Sequence, residues 1–188
     1  MTTEATATAI PGFVAGTWQI DPTHSEVGFA VRHMMVSKVR GRFTDFSGTI
    51  VTGDSPEASS VSADIQVSSI TTGNEQRDGH LRSPDFFETD THPTMTFRST
   101  SVRAEGDHWI ISGDLTLKGI TKPVELLTEL SGIGPDAFGA PARAGFSATT
   151  TINRHDFGVS WNAAVEGGGA IVSDKVTIQL DIEAVLQA

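Results

Sequence analysis

Six histidines, His24, His33, His80, His92, His108 and His155, are the residues best suited to acid–base or metal chemistry in this chain. Two imidazoles share one face when they stand four apart on a helix or two apart on a strand. No pair here has either spacing. Asp78-Gly79-His80, Asp90-Thr91-His92 and His155-Asp156 each set a carboxylate beside an imidazole, an arrangement expected more often in a satisfied structural contact than at a metal. The sharper alternative groups His24 and His80 with His33 or His155 as a metal or acid–base cluster. Other signatures fail outright. His24-Ser25-Glu26 matches the H-x-E half of a zinc deaminase, but with Cys 0 the P-C-x-x-C half cannot exist. Gly53-Asp54-Ser55 runs into Pro56 and reads as a turn, not a nucleophile elbow. Neither glycine-rich phosphate cradle, G-x-G-x-x-G or G-x-x-x-x-G-K-[ST], is present.

The densest polar and aromatic block is Arg77-Asp78-Gly79-His80-Leu81-Arg82-Ser83-Pro84-Asp85-Phe86-Phe87. Two readings of it are compatible. In one it is a helical plug, pinned by an Asp78–Arg82 pair, with Phe86 and Phe87 packed beneath. In the other it is a gate, where Arg77, His80 and Arg82 meet an anionic headgroup while the phenylalanines line an apolar entrance. Guanidinium forks match phosphate and carboxylate oxygens better than lysine does.

The elements that carry these residues follow from periodicity. Thr72-Gly73-Asn74-Glu75 has the form of a capping box, Asp78 and Arg82 stand four apart, and Ser83-Pro84-Asp85 repeats a helix-start signal. Two helical turns are predicted, over about 74–81 and 84–88. Elsewhere the apolar residues recur every second position, as in Trp109-Ile111 with Leu115-Leu117, and in Val176-Ile178-Leu180-Ile182-Ala184. Such runs are half-buried strands. Similar ones begin at Val27, Phe46, Val61, Met95, Val124 and Phe146, separated by turns such as Glu105-Gly106-Asp107 and Gly134-Pro135-Asp136. About eight strands with short connections predict an all-β antiparallel barrel or sandwich, interrupted by a short helical insert near 74–88.

The 188 residues fit one domain, read as 16–188 after a disordered leader over 1–15. Met1 to Ala9 lacks the basic and apolar regions of an export signal, and no run reaches membrane-helix length, so a cytoplasmic chain without an integral membrane segment is expected. A net charge of −10 with no basic run argues against nucleic acid as a partner. An eight-stranded barrel is either filled by its own side chains or holds one small ligand. Small residues at strand positions (Gly28, Ala30, Gly48, Ala63, Gly113, Gly145, Ala148) beside Phe 10, Trp 3 and Tyr 0 would suit a dry apolar cavity. The same glycines could instead merely bend strands.

Read in order, these residues resemble the YceI-like family of lipid-binding proteins over about 16–186. The carrying motifs are Trp18-x-Ile20-Asp21-x-x-His24-Ser25-x-Val27-x-Phe29-x-Val31-x-His33, then Gly41-Arg42-Phe43-x-x-Phe46-x-Gly48, then the block from Arg77 to Phe87 followed by Pro93-x-x-x-Phe97-x-Ser99. Gly113-Asp114-Leu115-Thr116-x-x-Gly119-x-Thr121, Arg154-x-x-Phe157-Gly158 and Asp174-x-Val176-x-Ile178 complete the set. The resemblance implies a lipocalin-like, extended eight-stranded antiparallel barrel that binds, stores or transports a polyisoprenoid, isoprenoid quinone or fatty-acid-like chain. It implies no catalysis, no cofactor and no metal, with homodimers in some members. Carried over by motif, Phe29, Phe43, Phe46, Phe86, Phe87, Phe97, Phe157 and Trp161 would line the bore. His24, Arg77, Asp78, His80 and Arg82 would stand at its polar mouth. The competing readings are a stress-related interaction protein with a filled barrel and a His-dependent metalloenzyme.

Overall fold

Alternation of apolar and polar residues becomes strand along most of the chain. The computed structural model describes residues 9–135 and 137–188. Its strands are β1 (Gly16–Ile20), β2 (Glu26–His33), β3 (Ser37–Phe43), β4 (Phe46–Thr52), β5 (Ser60–Gln66), β6 (Ile70–Thr71), β7 (Thr94–Glu105), β8 (His108–Leu117), β9 (Ile120–Gly134), β10 (Arg143–Asn153) and β11 (Val172–Leu186), with one helix, α1 (Glu75–Arg82), between β6 and β7. Every pairing is antiparallel.

Eleven strands reduce to eight because three of them are kinked. β1 pairs with the end of β11 at residues 184–186, and β2 pairs with the same strand from 172 to 181. The two therefore lie end to end along one partner. β3 and β4 follow them in the same way, β3 on β2 and β4 on β1, and β5 and β6 follow in turn on β4 and β3. The ring runs β1/β2, β3/β4, β5/β6, β7, β8, β9, β10, β11 and closes on itself, the eight-stranded antiparallel barrel expected. The kinks have local causes. Asp21 caps a short 3-10 turn, Pro22–His24, by accepting from the Thr23 amide at 2.9 Å. At the other two, Ser69 Oγ accepts from the Thr44 and Asp45 amides at 3.1 and 3.0 Å, stapling the β3–β4 bend to the β5–β6 bend.

The helical insert differs from expectation in three places. The cap of α1 is Asn74, whose side chain accepts from the Arg77 amide at 2.9 Å, and not Thr72. Asp78 is buried and turns back to accept from the Thr72 amide, so the expected Asp78–Arg82 pair does not form; Arg82 donates instead to the carbonyls of Ser68 and Ile70. Both groups are satisfied elsewhere: the Thr72 amide and hydroxyl donate to the Asp78 carboxylate, and the two carbonyls take up the Arg82 fork. Residues 84–88 form successive turns and not a second helix: Ser83 ends α1, and its carbonyl accepts from the amides of Phe86 and Glu88.

Two apolar clusters flank the barrel's length. Phe43, Phe46, Val67, Ile70 and Phe157 belong to one, and Trp18, Ile50, Ala144 and Ala184 to the other. Among the described residues, no helix is long and apolar enough to cross a membrane.

Candidate ligand-binding site

The barrel encloses two cavities, of about 210 and 110 Å³. The larger is walled by the inward half of each strand's alternation: Trp18, Ile50, Ile65, Phe97, Ile111, Leu126, Phe146 and Ile182 come one from each strand around the ring. Among the described residues no charged side chain lines it, and its polar groups are the hydroxyls of Ser47, Thr52, Ser59, Thr128 and Thr150 with the indole N–H groups of Trp18 and Trp109. Several of these are already satisfied. Thr128 donates to the Leu126 carbonyl, while Thr52 accepts from Trp18 Nε1 at 3.0 Å and donates to Val14 O at 2.7 Å. Such a wall offers an occupant dispersion and exclusion of water and presents almost no polar surface. Of the segment read as a leader, residues 1–8 lie outside the described residues; Ile10 and Phe13 line this cavity.

The smaller cavity lies under α1, between Phe29, Phe43, Leu81, Phe86, Phe87 and Val176. Val27, Met95, Leu115 and Ile178 line both cavities. They form a waist between two chambers stacked along one bore. One charged residue reaches the smaller chamber, Arg154, which is 4% exposed. Its guanidinium donates to the carbonyls of Ser173, Val159, Trp161 and Val172. Burial pushes its pKa down. The fork thus ties the segment around Trp161 to β11 across the end of the barrel.

The eight aromatic residues read as bore candidates divide three ways. Phe46 and Phe97 line the larger chamber, and Phe29, Phe43, Phe86 and Phe87 the smaller. Phe157 lines neither, being packed solid in the core at 1% exposure. Trp161 also lines neither; its ring lies edge-on to His80, centroids 4.8 Å apart, and 5.3 Å from Phe86. Trp18, Trp109 and Phe146 line the larger chamber and were missed, although their positions on the alternating apolar face carried the signal.

The five polar candidates do not share one mouth. Arg77 donates to the Thr72 hydroxyl and carbonyl at 2.7 and 2.9 Å, so with Asp78 and Arg82 it pins α1 to the β5–β6 corner. His80 meets Asp85 at 2.8 Å beside Trp161. His24 belongs to the far end: it contacts Asp21 at 2.9 Å, whose amide donates to the Glu183 carbonyl. Glu183 and Lys175, the β11 partner of Asn153 next to Arg154, are eight residues apart on one strand, roughly 27 Å at strand rise. A cluster of His24 with His80 or His155 is therefore not formed; His155 pairs with Asp174.

Asp21, His24 and Glu183 are the one group of three potential metal ligands found among the described residues. Its centre is already occupied by a cation, because Arg143 Nη1 donates to Asp21 at 2.9 Å and to Glu183 at 2.5 Å. The hydrogen bond from His24, and then that from Arg143, hold the Asp21 carboxyl far below the usual carboxylate range. Asp21 in turn raises the pKa of His24.

A family model described as "YceI-like domain" matches residues 18–184. Protein YceI of Shigella flexneri is 41% identical over 177 residues, covering 93% of this chain and 89% of the relative. BcnA of Burkholderia cenocepacia superposes with a TM-score of 0.76 at 24% identity, over 88% of this chain and 99% of that one. A polyisoprenoid binding domain from Saccharophagus degradans shares the fold at 19% identity and a TM-score of 0.66, over 93% of this chain and 100% of the other.

Proposed function

The chain belongs to the YceI-like domain family, and from that premise we propose that it is a non-catalytic binding protein whose bore holds a long apolar lipid chain. The observation that carries this reading is the larger chamber, walled from all eight positions of the ring and touched by no charged side chain among the described residues. A hydrocarbon tail gains about 0.8 kcal/mol for each CH₂ taken out of water, so such a chamber binds without polar recognition. The two chambers in line suit an extended chain better than a compact ligand. A polyisoprenoid, an isoprenoid quinone tail or a fatty-acid-like chain would each fit that description, and the structural neighbour from Saccharophagus degradans, described as a polyisoprenoid binding domain, favours the first. Open chambers weigh against a barrel filled by its own side chains. Arg143 amid Asp21, His24 and Glu183, and the separation of His24 from His80, weigh against a His-dependent metalloenzyme.

Native mass spectrometry of the purified protein, followed by solvent extraction, tests the reading. The expected result is a discrete apolar adduct released on unfolding, or stoichiometric uptake of an added prenyl alcohol. Protein of bare mass that also refuses prenyl alcohols of several lengths would overturn it.

A further inference from the structure

The β2–β3 hairpin carries two features that the bore does not use. Its tip, Met34-Met35-Val36, projects from the barrel, with Met35 66% and Val36 83% exposed. Met34 and Met35 both adopt positive φ, 50° and 57°, positions that hairpins normally give to Asn, Asp or Gly. Backbone geometry therefore gives no reason for methionine there, and neither does the core.

Beneath the tip, the ladder pairs Arg32 with Lys38, Ala30 with Arg40 and Gly28 with Arg42. All four cations are exposed and share the outer face, while Phe29 and Val31 on the other face line the smaller chamber. None of the four joins an ion pair among the described residues, whereas Arg98, Arg103 and Arg143 each meet a carboxylate. Like charges directly opposite on a ladder destabilise it, so Arg32 against Lys38 is a cost to the fold. A basic stripe without counter-ions is notable in a chain of net charge −10.

We propose that this hairpin docks the protein on an anionic lipid bilayer, with Met34, Met35 and Val36 entering the headgroup layer and the Arg32–Lys38–Arg40–Arg42 stripe facing the anionic lipids. The two features complement one surface: an apolar tip enters the boundary between headgroups and acyl chains, and the cations above it meet the surface potential. The acidic remainder of the chain is repelled, which sets the orientation. A soluble polyanion would use the stripe but not the tip, so the bilayer accounts for both. Docking in this pose would bring the smaller chamber against the membrane. The inference rests on exposed groups alone and stands whether or not the bore is filled.

Flotation of the full-length protein with vesicles tests it, using phosphatidylcholine alone against phosphatidylcholine mixed with phosphatidylglycerol. The protein is expected to float with the anionic vesicles only and to be released by salt. Lys38→Gln with Arg40→Gln should weaken partitioning by roughly tenfold or more, and Met35→Ser with Val36→Ser should weaken it as well. All four positions are exposed, and an unchanged thermal midpoint confirms folding. Phe138, fully exposed in a β9–β10 loop without Lys or Arg, provides the control: Phe138→Ser should change nothing. No flotation at low salt, equal flotation with neutral vesicles, or loss through Phe138→Ser would each overturn the proposal. So would a dimer in solution that the Met35→Ser/Val36→Ser variant abolishes without affecting flotation, or retention by heparin unaccompanied by flotation.

Discussion

Gly113 lies directly under the ring of Phe97 across the β7–β8 ladder: a Cβ at position 113 would stand 2.5 Å from Phe97 Cζ and 2.6 Å from the carbonyl oxygen of Arg98. The bare backbone of β8 is thus the seat of an aromatic ring that walls the larger chamber. Aromatic cover of a strand glycine also limits the loss that glycine brings to a sheet.

Gly113→Ala is expected to lower stability by about 1–3 kcal/mol, the usual cost of overpacking. The ring can turn away but the Arg98 carbonyl cannot, since it belongs to the strand itself. Urea unfolding measures the change, and an unshifted midpoint with an unchanged slope would contradict this account of the site.

The waist and the chamber wall should separate stability from capacity. Met95→Ala removes one of four waist side chains and is expected to cost about 2 kcal/mol, the low end for such a truncation because the residue borders open space. It should also admit longer prenyl alcohols by joining the chambers. Ala148→Phe projects a ring into the larger chamber and should abolish uptake while the protein remains folded. Uptake by Ala148→Phe equal to that of the parent would move the ligand elsewhere.

Arg154 should resist even a conservative change. Lysine carries its donors on one atom and cannot reach the four carbonyls that the guanidinium fork serves. Arg154→Lys leaves buried acceptors unpaired, at about 1–3 kcal/mol each. A loss of at least about 2 kcal/mol in urea unfolding is expected, with faster proteolysis of the segment around Trp161. Parent-like resistance on both measures would show that the staple is dispensable.

The Asp21–His24–Arg143 contact predicts a bounded pH window. Asp21 is depressed in the folded chain, so its contribution is full above its unfolded pKa of about 3.9 and is lost as pH falls towards the folded value. His24 is raised, so its contribution is full below about 6.5 and is lost as pH rises through the folded value. The stability advantage of the parent over Asp21→Asn should therefore peak between these limits and shrink on both sides. His24→Gln should remove the alkaline limb and leave the acid limb, which Arg143 sustains. A difference between parent and Asp21→Asn that stays flat from acid to alkaline pH would refute the contact's role.

Alternation was the most legible feature. The period-two pattern of Val176 to Ala184 or of Trp109 to Leu117 contains the inward face of the barrel, because strand geometry leaves successive side chains no choice but opposite sides. The helix was legible too, though its cap moved from Thr72 to Asn74, a shift that turns on which side chain reaches the Arg77 amide. The motif residues that resembled a polar mouth divide in the structure between α1 and the far end of the barrel. Arg77 and Asp78 spend their polar atoms on the backbone and hydroxyl of Thr72, Arg82 on the Ser68 and Ile70 carbonyls, and His24 stands at the opposite end of the barrel. Residue type says that a guanidinium will find acceptors; it does not say whose.

By itself the sequence determined an all-β antiparallel fold of about eight strands, which local periodicity and turn chemistry leave as barrel or sandwich, while the ordered motifs pointed to the family and through it to the barrel. Tertiary structure alone decided where the strands kink, which of the aromatic residues face open space and which are packed solid, and that the bore is two chambers with a waist at Val27, Met95, Leu115 and Ile178. It also gathered Arg32, Lys38, Arg40 and Arg42 onto one face. No basic run exists along the chain, because alternation and a turn intervene between these cations. Ladder register, a property of two strands at once, is what brings them together.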